Sequence, residues 1–359
     1  MMGHPYQDKE DYCFCTKAMT SPAPGHVDPV TRSKIITPQE KVATMGSCFA
    51  QHLARHISKS GLSYFVPEQA PAGMGAEEAQ KRNYSVFSAR YGNVYTVRQA
   101  VQLFDRAFGG FRPQESIWER KDGRLVDAFR PQIEPDGYAT AEELEADRER
   151  HLAHVRDVFT QSQWLVFTLG LTEGWRSKLD GAVYPLAPGV KGGSYDTSRH
   201  EFVNFSLAEV WDDLDVFIQK ALSVNPGLQF LLTVSPVALM ATYESRHVLS
   251  STVCSKSILR VAADQAERKY PQVIYFPSYE IITSPAAAGR YYEDDLRQVT
   301  DLGVSHVMRV FSKHFIEEAG MQAPGLELTL DSAEDVVCDE EAIRDAVRGS
   351  GFGPRKKQP

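Results

Sequence analysis

The stretch KVATMGSCFAQHLARHISKSG, residues Lys41–Gly61, joins a short apolar run to an amphipathic run through a Gly-Ser turn. The apolar run ends at Gly46, which predicts a buried strand. The amphipathic run predicts a helix that ends near Gly61. Its apolar face carries Phe49, Leu53 and Ile57. Ser47 is therefore predicted to lie where a strand turns into a helix.

The same alternation of apolar runs and amphipathic stretches continues downstream. Further strands are predicted at 163–168, 228–234 and 273–276, and further helices at 97–108, 141–160, 206–225, 252–269 and 302–318. The apolar, non-alternating strands predict an α/β fold with a three-layer, flavodoxin-like parallel sheet and helices on both faces. Ligands in such folds bind at the carboxyl ends of the strands.

Composition shifts divide the chain into three parts. An N-terminal extended arm is predicted at 1–40, the α/β domain at 41–318, and a C-terminal extension with a flexible end at 319–359. Two loop-rich insertions, at 110–139 and 176–206, interrupt the α/β domain. Loops of this length in compact domains are often functional, so they are expected to face the substrate.

Charge, apolar content and cysteine spacing argue against several classes of function. The net charge of −8 argues against a nucleic-acid partner, because phosphate binding needs a concentrated basic surface. No apolar run is long enough to cross a membrane and the N-terminus lacks a secretory pattern, which predicts a cytoplasmic protein. The five cysteines do not have zinc-site spacing, so no metal and no cofactor is expected. The sequence does not determine the oligomeric state.

Ser47 has two interpretations. A serine at a strand-to-helix turn can be a nucleophile with the first helical amides facing a developing oxyanion, and Gly46 would permit close approach of a substrate. Serine is also a common helix cap, which the local context alone favours. The neighbouring Cys48 is a rival nucleophile that we expect to pack inward as a small apolar side chain.

The blocks around these residues resemble the GSCFA family, which is similar to the SGNH/GDSL hydrolases. The resemblance spans about residues 28 to 318, and its ordered blocks shift the interpretation of Ser47 toward the nucleophile. These blocks are GSCFA (46–50), YGNVYT (91–96), FTLGLTEGW (167–175), TVSPV (233–237), SKSILR (255–260), YFPSYEIITSP (275–285) and YYEDDLR (291–297).

The resemblance implies roles for several residues. Ser47 matches the nucleophile, and its own N–H together with Gly92 and Asn93 matches the oxyanion hole. Glu173 stands where related enzymes place an asparagine, and an ionised carboxylate there would repel an oxyanion. It is therefore assigned to substrate binding or to orienting a histidine, or else it pairs with Arg176.

The expected DxxH element departs from the family pattern. Asp295 is followed three positions later by Gln298, which cannot act as a general base. His247 follows the third predicted strand and is the favoured base, while His306 is predicted on the exposed face of its helix. Asp295 would orient one of the two histidines or begin the hydrogen bonding of its loop.

The resemblance implies a serine ester hydrolase that acts by acyl transfer on a small-molecule O-acyl substrate, with a carbohydrate ester among the candidates. An O-acyltransferase would use the same nucleophile, so it remains an alternative. A non-catalytic small-molecule or glycan-binding protein is the second alternative, and Gln298 in the place of a histidine supports it.

Overall fold

A computed structural model describes residues 4–23, 25–317 and 336–349. Along the chain, the first half forms β1 (Lys41–Gly46), α1 (Ala50–Lys59), β2 (Ser63–Tyr64), α2 (Ala76–Lys81), α3 (Val97–Ala107), β3 (Ile117–Glu119), β4 (Leu125–Asp127) and α4 (Ala141–Gln161). The second half forms β5 (Trp164–Leu169), β6 (Glu173–Ser177), β7 (Val183–Tyr184), β8 (His200–Asn204), α5 (Leu207–Val224), β9 (Gln229–Val234), α6 (Val248–Lys269), β10 (Val273–Tyr275), α7 (Ser278–Thr283), α8 (Asp301–Phe315) and α9 (Glu341–Gly349).

Five parallel strands form the central sheet in the order β2-β1-β5-β9-β10. Successive side chains of a strand face opposite layers. Ala43 and Met45 accordingly pack with helices α3 to α6, whereas Val42 packs with α1 and α8. Both faces of the sheet are therefore covered by helices, which confirms the predicted three-layer, flavodoxin-like α/β fold.

The two insertions contain short antiparallel strands. Residues 110–139 carry the β3-β4 hairpin, and β6, β7 and β8 form a separate three-stranded sheet whose strands lie partly within 176–206. We predicted irregular structure there. That prediction was wrong because these strands are defined by distant partners, such as Glu173 opposite Asn204, and not by a local apolar pattern.

Buried ion pairs hold the first insertion in place. Arg130 bonds to Asp147 of α4 at 2.7 Å and to Asp127 at 3.2 Å, while Arg148 of α4 bonds to Asp127 at 3.0 Å. Asp127 is fully buried, so removal of either partner would leave an uncompensated charge. The hairpin is thus fixed against α4 and is not a freely moving lid.

The N-terminal arm packs on α8. Ile36 N–H donates to the Phe315 carbonyl at 2.8 Å, and Asp28 accepts from Lys313 and His314. Within the described ranges, no helix is long and apolar enough to cross a bilayer. The predicted flexible end of the C-terminal extension lies outside the described residues, but 336–349 are described and contact the domain.

Candidate active site

Ser47 lies at the switch point of the sheet. The chain passes from β1 to β2 on one side and later places β5 on the other side, so the β1 and β5 ends open a crevice. Ser47 is 3% exposed, and its Oγ has no hydrogen-bond partner among the residues that the structure describes. A buried hydroxyl without a partner is uncommon in folded proteins and marks this crevice as a candidate site.

Gly46 makes the turn into Ser47 possible. Its φ is +130°, and a Cβ at this position would lie 2.2 Å from the Thr168 carbonyl oxygen. Gly170, at the end of β5, is equally constrained, since its Cβ would lie 3.0 Å from the Ser47 Cβ. Only residues without a side chain allow the two strand ends to close around Ser47.

The backbone amides of the turn do not match the expected oxyanion hole. Ser47 N–H donates to the Thr168 carbonyl at 3.1 Å, so it continues the β1-β5 ladder and does not face the crevice as a free donor. This corrects its predicted role. The next amide in the turn, that of Cys48, has no acceptor in the described part of the chain. It is therefore the better-placed backbone donor.

Asn93 lies beside the end of β1, because the N–H of the adjacent Val94 donates to the Gly46 carbonyl at 2.8 Å. Gly92, with a φ of +67°, forms the turn before it, and no hydrogen bond joins Gly92 to Ser47 among the described residues. The Asn93 side chain is buried with its Oδ1 unpaired. Its Nδ2 has two acceptors that come from the C-terminal segment.

The segment Val336–Glu340 covers the crevice. Asn93 Nδ2 donates to the Val337 carbonyl at 3.1 Å and to Asp339 Oδ2 at 3.0 Å. Gln51 of α1 exchanges two further hydrogen bonds with the Val337 backbone, at 2.6 and 3.0 Å. Burial raises the pKa of the Asp339 carboxyl. No sequence pattern predicted this segment, because five residues without periodicity give no local signal.

Lys256 is a second residue that sequence reasoning missed. It is fully buried on α6, and its Nζ donates to the Gly170 carbonyl at 2.6 Å. Burial lowers the pKa of Lys256 to about 8, against an opposing contribution from Glu340. A buried lysine with a lowered pKa next to a crevice has the properties of a general base.

The histidines do not assemble with Ser47. His247 is exposed and caps α6, where its Nδ1 accepts from the Leu249 N–H at 3.1 Å. His306 is buried, not exposed as predicted, and its two ring nitrogens bond to the Tyr291 hydroxyl and the Val27 carbonyl, both at 2.8 Å. The arm covers the face of α8 that was assigned to solvent. No hydrogen bond from either histidine reaches Ser47 Oγ.

The predicted acidic residues also have local roles. Asp295 Oδ1 accepts from the N–H groups of Arg297 and Gln298, each at 2.9 Å, so it organises its own turn. Glu173 accepts from the Thr242 hydroxyl at 2.8 Å, and burial raises its pKa. The alternative pairing of Glu173 with Arg176 was wrong, because Arg176 bonds to Glu201 instead.

A metal centre is not indicated. In 4–23, 25–317 and 336–349, no three histidine, cysteine, aspartate or glutamate residues are grouped closely enough to hold a metal ion. His52 and His56, one turn apart on α1, are engaged in packing. His56 bonds to Ser312 at 2.7 Å and His52 stacks near Phe49.

Comparisons with known proteins bear on the family of the chain. A sequence model of the GSCFA family matches residues 41–311. Among solved structures, a Clostridium thermocellum family 3 carbohydrate esterase aligns over 78% of this chain and 95% of its own, with 11% identity and a TM-score of 0.30. A likeness at that TM-score supports no functional argument. A comparison with curated proteins gives no match. Because the family match covers well over half of the residues, the chain belongs to the GSCFA family.

Proposed function

We propose that the protein is an ester hydrolase in which Ser47 transfers the acyl group of an O-acyl substrate to water. The observation that supports this proposal most directly is the unpaired, buried Ser47 Oγ at the switch point. Asn93 lies near the same strand end, one residue before the Val94 N–H that donates to the Gly46 carbonyl. A nucleophile needs a free hydroxyl, and an amide donor beside it can stabilise a developing oxyanion.

Lys256 is the proposed general base. Gly170 connects it to Ser47, because the Gly170 carbonyl accepts from Lys256 and the Gly170 Cα lies against the Ser47 side chain. The neutral amine takes the Ser47 proton as Oγ attacks the ester carbonyl, and the ammonium returns it to the leaving alkoxide. A water molecule, deprotonated by the same amine, then attacks the acyl-enzyme. The bond between Ser47 Oγ and the acyl group breaks, the ammonium returns its proton to Ser47 Oγ, and the acid is released.

Two features support a carbohydrate as the alcohol. A groove of about 1310 Å³ between the hairpin and the loop at 189–194 reaches Val337 beside the crevice. Next to Glu173, four partly exposed rings cluster with centroids 5.0 to 5.9 Å apart, those of Trp175, Tyr195, Phe202 and Tyr243. Exposed aromatic faces mark interaction sites, and the C–H faces of sugar rings suit such a surface.

Ser47→Ala is the first test, in reducing buffer with an aryl acetate as substrate and a fluorophosphonate as active-site probe. We expect hydrolysis to fall by roughly a thousandfold or more and labelling to disappear. Ser58→Ala, an exposed serine on the same helix, is the matched control and should retain both. Unchanged hydrolysis in Ser47→Ala would refute the proposed nucleophile.

The same assay separates the alternatives. A labelled Ser47 that transfers acetyl to added sugar faster than to water would identify an acyltransferase. A Ser47 that never labels, together with saturable glycan binding, would identify a binding protein. Lys256→Met tests the base, and it should lower kcat without preventing folding, since Met fills a similar volume.

A further inference from the structure

Two thiols that are 290 residues apart in the sequence meet above the crevice. Cys48 follows Ser47 in the turn and is 4% exposed, while Cys338 lies in the segment Val336–Glu340 and is half-buried. Gln51, three residues after Cys48, bonds twice to the backbone of Val337, the residue before Cys338, which brings the two thiols close together. Each thiol shifts the pKa of the other. Cys338 Sγ also accepts from the Arg297 guanidinium at 3.2 Å and lies 3.9 Å from the Tyr95 hydroxyl.

The surroundings shift the pKa values of the two thiols in opposite directions. The neighbouring Cys48 thiol and the adjacent Arg297 guanidinium lower the pKa of the Cys338 thiol, against burial and the Glu340 carboxylate. The Cys338 thiol, together with burial, raises the pKa of the Cys48 thiol. A partly accessible thiol with a lowered pKa next to a second, buried thiol with a raised pKa is the arrangement of an attacking and a resolving cysteine.

We propose that Cys48 and Cys338 form an oxidisable pair whose disulfide fixes the segment Val336–Glu340 over Ser47. The disulfide itself does not depend on the proposed esterase function, whereas its effect on catalysis does. Three side chains already hold the segment in position for the bond. They are Gln51, Asn93 and Arg297.

The chemistry needs a peroxide as oxidant. The Cys338 thiolate attacks one peroxide oxygen, the O–O bond breaks, and the hydroxide that leaves is protonated to water. Cys338 is then a sulfenic acid. The Cys48 sulfur attacks the Cys338 sulfur, and the displaced hydroxide takes the Cys48 proton and leaves as a second water. Two thiols are oxidised to one disulfide and one peroxide is reduced to two waters.

In the disulfide state the crevice is closed by a covalent bond. In the dithiol state only noncovalent contacts hold the segment, so a substrate can displace it from Asn93. A disulfide can form only while the two cysteines lie next to each other. It therefore holds the segment in its closed position until it is reduced. The pair would therefore couple access to Ser47 to the presence of oxidant.

Disulfide formation is tested in the full chain with Cys13→Ser and Cys15→Ser, because those two exposed cysteines could pair with each other. Three thiols remain in this background. One equivalent of hydrogen peroxide should reduce the count to one and give a linked peptide containing Cys48 and Cys338 in non-reducing mass spectrometry. Adding Cys254→Ser should leave the linked peptide unchanged, whereas adding Cys338→Ser should abolish it. Oxidation of Cys338 to sulfinic acid without a linked peptide would overturn the proposal.

Closure is tested by two independent readouts. Amide hydrogen exchange of 336–349 should slow on oxidation, and fluorophosphonate labelling of Ser47 should slow about tenfold or more, with both restored by a dithiol reductant. The Cys338→Ser variant should respond in neither. If Ser47 labels in neither state, the proposed esterase function fails while slowed exchange still supports the disulfide. A linked peptide with unchanged exchange would refute closure.

Discussion

At the scale of single residues, the position of Ser47 depends on the backbone of Gly46. A φ of +130° is strongly unfavourable for a residue with a side chain, and the Thr168 carbonyl occupies the space that a Cβ would need. The glycine in front of the candidate nucleophile is thus required by the close approach of β1 and β5. Its role is steric and does not depend on the chemistry of the site.

Gly46→Ala should therefore destabilise the fold strongly. We expect a loss of about 3 kcal/mol or more in the free energy of unfolding, from backbone strain plus the overlap with Thr168. Urea denaturation measures it. Gly61→Ala is the matched control, since Gly61 has a φ of +82° but no atom within 4 Å of the Cβ position. It should lose only about 1 kcal/mol. Equal losses in the two variants would contradict the steric account.

At the scale of elements, the packing of α1 against α8 buries imidazoles. Burial lowers the pKa of His52 and of His56 to about 4 each, with Arg55 contributing at His52. Both rings are therefore neutral in the folded protein at neutral pH. In the unfolded chain these histidines take up protons near the ordinary histidine pKa of 6.5. Acid therefore favours the unfolded state at pH values where the folded rings are still neutral.

The free energy of unfolding should fall as the pH decreases from about 6.5 to about 4. The unfolded state binds more protons than the folded state in this range, so stability rises with pH across it. Each histidine should contribute about 1 to 3 kcal/mol. Urea denaturation at a series of pH values measures the slope. The double variant His52→Gln/His56→Gln should flatten it, and a slope equal to that of the wild type would show that other groups are responsible.

Elements with a strong local signal could be predicted from the sequence. The amphipathic period placed α1, α3 and α5 within a few residues, and Ser206, at the start of the predicted third helix of this set, caps α5 by accepting from the Glu209 N–H. β2 was missed because two residues carry no period. The small antiparallel sheet was missed because β6 and β8 pair across 23 to 31 residues, so no local pattern indicates the pairing.

The candidate site could be predicted only in part, because several of its residues owe their environment to contacts with distant parts of the chain. Ser47 lies at the strand-to-helix turn that the apolar pattern predicts, whereas Asn93 lies in a loop and was assigned from the family resemblance. Lys256 looked like one polar residue on a helix, and its burial follows from the contact with Gly170. The environment of His306 depends on Val27, 279 residues away, so the helical pattern alone assigned the wrong face to solvent.

At the scale of the whole molecule, both ends of the described chain add buried groups to the domain. The family match covers 41–311, yet Ile36 from the arm is fully buried, and Asp339 from the C-terminal segment is 4% exposed. The arm packs on the layer formed by α1 and α8, and the C-terminal segment covers the switch point. Stability and access to the crevice therefore both depend on residues outside the family match.

Ile36→Ala should lower the free energy of unfolding by about 2 to 5 kcal/mol, the usual cost of truncating a fully buried isoleucine. The neighbouring Ile35 is 44% exposed, so Ile35→Ala is the matched control and should cost less than about 1 kcal/mol. Thermal or urea unfolding of the two variants measures the two losses in the free energy of unfolding. Similar small losses would show that the arm is not part of the cooperative unit.

The contacts of Asn93 Nδ2 with Val337 and Asp339 would also change the apparent KM of the proposed enzyme. The segment is a competitor carried on the same polypeptide, so dilution cannot remove it. For any substrate that needs the vacant amide, the apparent Kd equals the intrinsic Kd divided by the fraction of molecules in which the amide is vacant, so the segment weakens binding. An occupancy of about 99% would raise the apparent KM about a hundredfold and leave kcat at saturation unchanged.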